Sequence, residues 1–390
     1  MMDVLYVAGT LGVGGTERHL SLVLPELARR GWRLEVALLG GDGPFGDPLR
    51  NAGISIGQIE SPPDLPIPKL RGFLNLRGKS RTLADRLRAA PPRLLHCFLP
   101  SCCIVGGWAA RTARFGPVAM SRRSQMNRPA LFFGDKWLER VALRQADLVF
   151  GNSCAVLAEL KGEGVMPERL RLVHNGIELA PLPTEADRRS TRVAEGWRDD
   201  EVVLVAVANL IPYKGHADIL HGLAEVEANG LSNWRLVLVG GGAPQHASIL
   251  RALAKELNIA NRVAFLGPRT DIPRLLAAAD VGVLCSHHEG FSNALLEYMS
   301  ASLPVVATAT GGNLDAVEDS KTGRLVPVAD PRLLGRALGQ IIMDAACRVR
   351  MGAAGRAKVE KEFSLDACVT KYEEAYRALW AEHDQAMSRP

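Results

Sequence analysis

Short apolar runs alternate with amphipathic stretches along the chain, and the alternation predicts a βα rhythm that breaks once and then restarts. Residues 4–8 read as a strand, 17–30 as a helix and 34–39 as the next strand, with further strands at 94–99, 118–121 and 148–152. The polar, proline-containing stretch 179–199 interrupts this rhythm and is expected to be an interdomain linker. Strands are then expected at 202–208, 234–240, 262–266, 281–285 and 304–307, with a helix at 247–257 among them. A last segment, 364–382, sets Leu365, Cys368, Val369, Tyr372, Tyr376 and Leu379 on one helical face, which must pack against a partner surface. The expectation is an α/β protein of two Rossmann-like, doubly wound domains facing a central cleft, at 1–178 and 200–364, followed by a C-terminal helix within 365–390.

Composition narrows the class. A chain of 390 residues has room for two or three domains at about 100 to 200 residues each. With 47% hydrophobic and 23% charged residues, and 38 Gly and 23 Pro without a period, it is neither disordered, collagenous nor coiled coil. The first residues lack a basic leader and an apolar core with a cleavage site, and no run reaches the roughly 18 apolar residues of a membrane helix, so neither export nor spanning is expected. Seven scattered cysteines read as reduced thiols in a cytoplasm. Residues 1–180 hold 24 Lys and Arg against 16 Asp and Glu, a balance of +8, and the remainder is −3. Such asymmetry fits either an anionic partner for the first half or a solvated basic surface; nothing points to nucleic acid.

Two stretches carry candidate chemistry. The first βα turn runs Gly9-Thr10-Leu11-Gly12-Val13-Gly14-Gly15-Thr16-Glu17 into a helix, whose N-terminus can receive an anion. Its glycine spacing is not GxGxxG, and no acidic residue ends the second strand, so NAD binding is disfavoured. The denser signal is Ser286-His287-His288-Glu289-Gly290-Phe291-Ser292-Asn293-Ala294-Leu295-Leu296-Glu297. There a strand ends, a polar loop follows, and Ser292 or Asn293 can cap a helix that bears Glu297. Helix N–H groups suit a phosphate, and the two carboxylates can accept from hydroxyls on either side of it. A nucleotide sugar is such a ligand. Taken singly, Glu289 is equally a helix-dipole residue and Glu297 a surface carboxylate.

This stretch resembles the E-x7-E motif of retaining GT-B glycosyltransferases. The likeness extends through Gly14-Gly15-Thr16-Glu17, Val173-His174-Asn175-Gly176-Ile177, Pro212-Tyr213-Lys214-Gly215, Val239-Gly240-Gly241-Gly242, Phe265-Leu266-Gly267 and Gly311-Gly312-Asn313. The resemblance implies that Glu289 contacts the donor sugar, that Gly290, Phe291, Ser292 and Asn293 surround the phosphates, and that Glu297 holds the ribose. It further implies that Lys214 binds the diphosphate, that Gly14 and Gly15 let their loop approach it, that Asn209 and Arg269 belong to the donor site, and that the C-terminal helix crosses back to the first domain.

Two departures stand out. Many relatives carry an Arg where this chain has Asn209, and a first-domain His where it has Ser121-Arg122-Arg123. Arg122 and Arg123 are candidates for phosphate or acceptor contacts, or surface charges. His96, at the end of a strand, is either a polar contact at the reaction centre or a satisfied core histidine. His287 and His288 are adjacent and have no third ligand at metal spacing, so no metal is assigned, and the absence of Asp-x-Asp fits leaving-group stabilisation by Lys214 and helix dipoles. The basic segment 68–81, with Gly72 and Gly78 weakening a helix, is expected as an acceptor-side loop in preference to an anionic-membrane contact. The expected activity is metal-independent, retaining sugar transfer from a nucleotide diphosphate sugar, UDP-linked before GDP-linked, to a saccharide or lipid-linked saccharide in cell-surface glycan assembly. The alternatives are a nucleotide-sugar epimerase of the same fold and a non-catalytic nucleotide-sugar-binding protein.

Overall fold

Every strand pairing assigned among the described residues is parallel, which explains why the strands read as continuous apolar runs: helices cover both faces of such a sheet. The computed structural model describes residues 2–60, 71–125, 134–179 and 181–387. They divide into two units, Met1–Gly176 with Leu365–Pro390, and Ile177–Ser364.

The first unit contains β1 (Val4–Ala8), β2 (Leu34–Leu38), β3 (Ser55–Gln58), β4 (Leu94–Phe98), β5 (Val118–Arg122), β6 (Leu148–Gly151) and β7 (Leu170–Leu172), in the order β3-β2-β1-β4-β5-β6-β7. The second contains β8 (Val202–Val207), β9 (Trp234–Val239), β10 (Val263–Gly267), β11 (Val281–Leu284), β12 (Val305–Thr308) and β13 (Gly323–Val326), in the order β10-β9-β8-β11-β12-β13. Side chains alternate between two cores: Val4, Tyr6 and Ala8 face one side of β1 while Leu5 and Val7 face the other, and Val202, Leu204 and Ala206 oppose Val203 and Val205 on β8. Both sheets are doubly wound. Winding reverses between β1 and β4 in one and between β8 and β11 in the other, so the loops leaving these strands flank the crevice where such sheets take ligands.

The C-terminal helix, Leu365–Met387, belongs to the first unit. Its face of Cys368, Val369, Tyr372, Tyr376 and Leu379 packs with Val4, Tyr6 and Leu20, and Leu365 packs against the same cluster. Polar contacts fix it further: Arg30 pairs with Glu373 at 2.7 Å, and the Trp32 indole N–H donates to the same carboxylate at 2.6 Å.

Two expectations are corrected. The stretch 179–199 is not a linker, because it holds the helix Glu185–Glu195 as part of the second unit. Thr184 and Asp187 form a reciprocal capping box at its start, and Arg188 and Arg192 reach Asp280 at 2.6 and 3.3 Å. The polar residues that suggested a linker are thus one helix's cap and anchors. The basic segment is likewise no loop from residue 71 onward, since Arg71–Ala89 is a 19-residue helix; residues 68–70 lie outside the described residues. Leu83, Ala84 and Leu87 are buried along it and Phe73 meets Trp108 edge-on at 5.6 Å, contacts that outweigh the roughly 1 kcal/mol each glycine costs a helix.

Candidate functional site

At the winding reversal of the second sheet, two loops are forced into close backbone contact by glycines. After β8 the chain enters the single turn Pro212–Lys214, and Gly215, at φ +68°, redirects it into the helix His216–Ala228. A side chain at 215 would overlap the Cys285 carbonyl oxygen, so both the left-handed backbone and the approach require glycine. Gly311, at φ +51°, is pressed in the same way against the Glu289 carbonyl oxygen. The loop 286–292 is therefore held between two neighbouring turns.

Within this frame Lys214 Nζ lies 2.7 Å from Glu289 Oε2, with the side chains only 17% and 13% exposed. Two residues expected at the diphosphate and the sugar are thus brought together, and partial burial spares the pair much of the screening a surface pair suffers. The His287 N–H donates to the Tyr213 carbonyl at 2.7 Å, the Gly312 N–H to the Gly290 carbonyl at 2.9 Å, and the Thr308 hydroxyl to the Ser286 carbonyl at 2.6 Å. His287 Nε2 donates to Asp218 Oδ2 at 2.7 Å. The Phe291 ring is buried 5.4 Å from the Phe363 ring, anchoring the loop from below.

The helix Asn293–Ser300 starts where expected, and of the two capping candidates Ser292 stands at the N-cap, where its side chain makes no capping hydrogen bond. An N-terminus without a side-chain cap carries partial positive charge suited to an anion. Glu297 is buried on this helix. Asn209 is exposed on the loop after β8. Arg269 is engaged by Glu195 and Asp271 at 2.8 and 2.7 Å, hydrogen bonds that raise its already high pKa and hold the Asp271 carboxyl down at about 2.

In the first unit, Gly14 is the extended N-cap of the helix Gly15–Arg29 and Gly15 opens to space in which an added methyl group meets nothing. Arg122 is no loose surface charge: it is buried and pairs with Glu139 at 3.1 Å and Glu163 at 2.9 Å. Arg123 donates to Asn175 and, at 3.4 Å, to the Tyr372 hydroxyl, so it is no loose surface charge. His96 proves to be the core histidine of the two readings. It is fully buried, with Nδ1 2.6 Å from the Tyr376 hydroxyl and Nε2 2.7 Å from the Ser121 hydroxyl. Burial, with help from Arg123, drives its pKa well below the usual histidine value. A recess at the ends of β4 and β5 is lined by Leu99, Pro100, Ser121, Arg122, Arg123, Ser124, Gln125 and Glu139, and Leu99 holds a left-handed φ of +76° there.

Sequence reasoning missed Asp218 and Tyr298. The Tyr298 hydroxyl accepts from the Val207 N–H at 2.6 Å and ties the end of β8 to the helix Asn293–Ser300. No local periodicity links residues 69 or 91 positions apart; only an acidic residue in the first turn after Lys214-Gly215 hinted at the former. Among the described residues, no group of three or more His, Cys, Asp and Glu is arranged to hold a metal ion, and no helix is long and apolar enough to cross a membrane.

Comparison with known proteins matches residues 187–358 to the family described as Glycosyl transferases group 1, and residues 13–180 to Glycosyltransferase Family 4. The chain is 29% identical over 240 residues to N-acetyl-alpha-D-glucosaminyl L-malate synthase of Bacillus anthracis, covering 61% of each. It is 32% identical over 264 residues to D-inositol 3-phosphate glycosyltransferase of Salinispora tropica, covering 64% of this chain and 55% of that one. The matches thus span less than two thirds of these relatives' lengths. HepE of Anabaena superposes with a TM-score of 0.84, covering 97% of this chain and 100% of that one at 22% identity. Sucrose-phosphate synthase of Thermosynechococcus elongatus gives 0.80, covering 98% and 100% at 23% identity. At these identities the likeness is one of fold.

Proposed function

The chain belongs to the glycosyltransferases of group 1, and from that premise we propose that it transfers a sugar from a nucleotide diphosphate sugar to a hydroxyl acceptor with retention of anomeric configuration. The observation that carries this reading is the Lys214–Glu289 pair at the winding reversal of the second sheet, beside a helix N-terminus without a side-chain cap. An ammonium and a carboxylate that hold one another match two parts of the donor. The diphosphate takes the ammonium, and sugar hydroxyls donate to the carboxylate.

In this reading Lys214 and the start of the helix Asn293–Ser300 stabilise charge that grows on the departing phosphate, without a metal. Gly290, Phe291, Ser292 and Asn293 present backbone to the phosphates, and Glu297 grips the ribose. The bond from C1 to the phosphate oxygen breaks as the acceptor oxygen bonds C1 on the same face, and that phosphate oxygen takes the acceptor proton. No protein base is needed. HepE has been solved with UDP and with UDP-glucose, which favours UDP over GDP here. The recess beside Ser121 and Arg123 is the proposed acceptor side, where a saccharide or lipid-linked saccharide would sit during cell-surface glycan assembly.

We also propose cytoplasmic residence with peripheral contact at an anionic membrane. Arg77, Arg81 and Arg88 are exposed on the helix Arg71–Ala89, and Trp137 is 65% exposed beside Arg140 and Arg144 on Asp135–Gln145.

Asn209, standing where many relatives carry a cation, is the observation that favours the non-catalytic reading. One assay separates the readings: UDP-glucose is incubated with and without glycolipid acceptors. A transferase releases UDP in an acceptor-dependent manner, an epimerase converts the donor without any acceptor, and a binding protein does neither.

A further inference from the structure

We infer that His287 and Asp218 form a clasp that positions the donor loop, a role that rests on the donor-site reading above. His287 lies two residues before Glu289 and reaches back to the first turn of the helix His216–Ala228, where Nε2 meets Asp218 Oδ2 at 2.7 Å. Its backbone N–H is bonded to the carbonyl of Tyr213, the residue before Lys214. One residue therefore links the carboxylate loop to both sides of the lysine turn: to 213 through its backbone and to 218 through its ring.

The geometry explains why a clasp is needed. Lys214 and Glu289 pair with each other, and a donor that takes the ammonium weakens that attraction. Without another tie, the loop would lose its main side-chain link to the lysine turn just as the ligand requires both groups in place. The His287–Asp218 bond does not involve the groups proposed to bind ligand, so it persists through that exchange. Its side chains are 33% and 19% exposed, sheltered enough for a bond to a charged acceptor to count. His287 is thus a positioning residue, acting through Glu289 and Lys214.

The test uses the full chain with His287→Ala, His287→Gln, Asp218→Ala and the double variant His287→Ala/Asp218→Ala. Glutamine can place an amide N–H near the position of Nε2. Hydrogen exchange reads the clasp without any ligand: the amide of residue 287 should exchange on the order of tenfold faster in His287→Ala and Asp218→Ala, and return near wild type in His287→Gln. UDP-glucose binding by calorimetry reads the consequence. Dissociation constants should rise on the order of tenfold in each alanine variant, with the double variant no worse than the singles, because both remove one interaction. Under transfer conditions the donor KM should rise and kcat fall together, because Lys214 acts in the transition state, and His287→Gln should recover both, a rescue that mere destabilisation would not give. Unchanged exchange at residue 287 overturns the clasp whatever the protein binds. Faster exchange with unchanged UDP-glucose affinity overturns its role in positioning. If wild-type protein does not bind UDP-glucose, the GDP-, ADP- and CMP-sugars take its place in the calorimetry; binding to none of the four defeats the donor-site reading instead, and with it the clasp's positioning role, while the exchange result still decides whether the clasp exists.

Discussion

Lys214 and Glu289, 75 residues apart in sequence, meet at 2.7 Å because Gly215 and Gly311 let their two turns press on the loop between them. The pair makes the lysine the principal charge of the proposed phosphate site. Leaving-group charge grows as the glycosidic bond breaks, so Lys214→Ala should lower kcat/KM on the order of 10²-fold, and Lys214→Arg should recover only part because the guanidinium differs in reach and shape. Steady-state kinetics with the donor varied checks this; a loss below threefold would remove Lys214 from the chemistry.

Glu297 lies on the helix Asn293–Ser300, beyond the loop that bears Glu289. If it grips ribose equally in the ground and transition states, Glu297→Ala raises the donor KM with a smaller effect on kcat. A fall in kcat alone, at unchanged donor affinity, would contradict that role.

Acid should weaken the first unit through its buried histidines. Burial first, then Arg123, drives the pKa of both His96 and His19 well below 6.5, with His96 also acting on His19. In the unfolded chain these rings protonate near pH 6.5, and in the folded protein they stay neutral. The unfolded state then binds more protons, so their contribution is whole above about pH 6.5 and is lost progressively as pH falls below it. Urea midpoints between pH 7.5 and 5 should drop steeply, and less steeply in His96→Gln. Parallel pH profiles for the two proteins would show that His96 is not a source of the slope.

How much of this was legible in the sequence depended on range. The strand runs, the C-terminal helical face and the loop from Ser286 to Glu297 are local patterns, and they were read correctly as elements. Arg122 looked available because its partners, Glu139 and Glu163, lie on other elements. His96 could be assigned to the core only once Tyr376, 280 residues away, was placed beside it. The segment 179–199 was misread because a helix anchored by arginines to Asp280 is polar enough to look like a linker, although its Thr184-Asp187 capping box was present in the sequence. Phe73 and Trp108 explain the helix Arg71–Ala89 in a way that glycine propensity could not.

The proposed membrane contact rests on the exposed arginines and Trp137. Co-sedimentation with phosphatidylserine vesicles should be strong at low salt, fade near 0.5 M salt as the Debye length shrinks below about 5 Å, and weaken in Trp137→Ala. Equal recovery with neutral and anionic vesicles would remove the proposal.

The central claim, a metal-free nucleotide-sugar site built on Lys214 and Glu289, is tested most directly by thermal shifts in EDTA with UDP-, GDP-, ADP- and CMP-sugars. A ligand at 100 times its Kd stabilises its folded partner by about 2.7 kcal/mol, so one nucleotide, UDP first, should raise the wild-type midpoint clearly and leave Lys214→Ala nearly unmoved. No shift with any of the four, or a shift that appears only when magnesium or manganese replaces EDTA, would contradict the account.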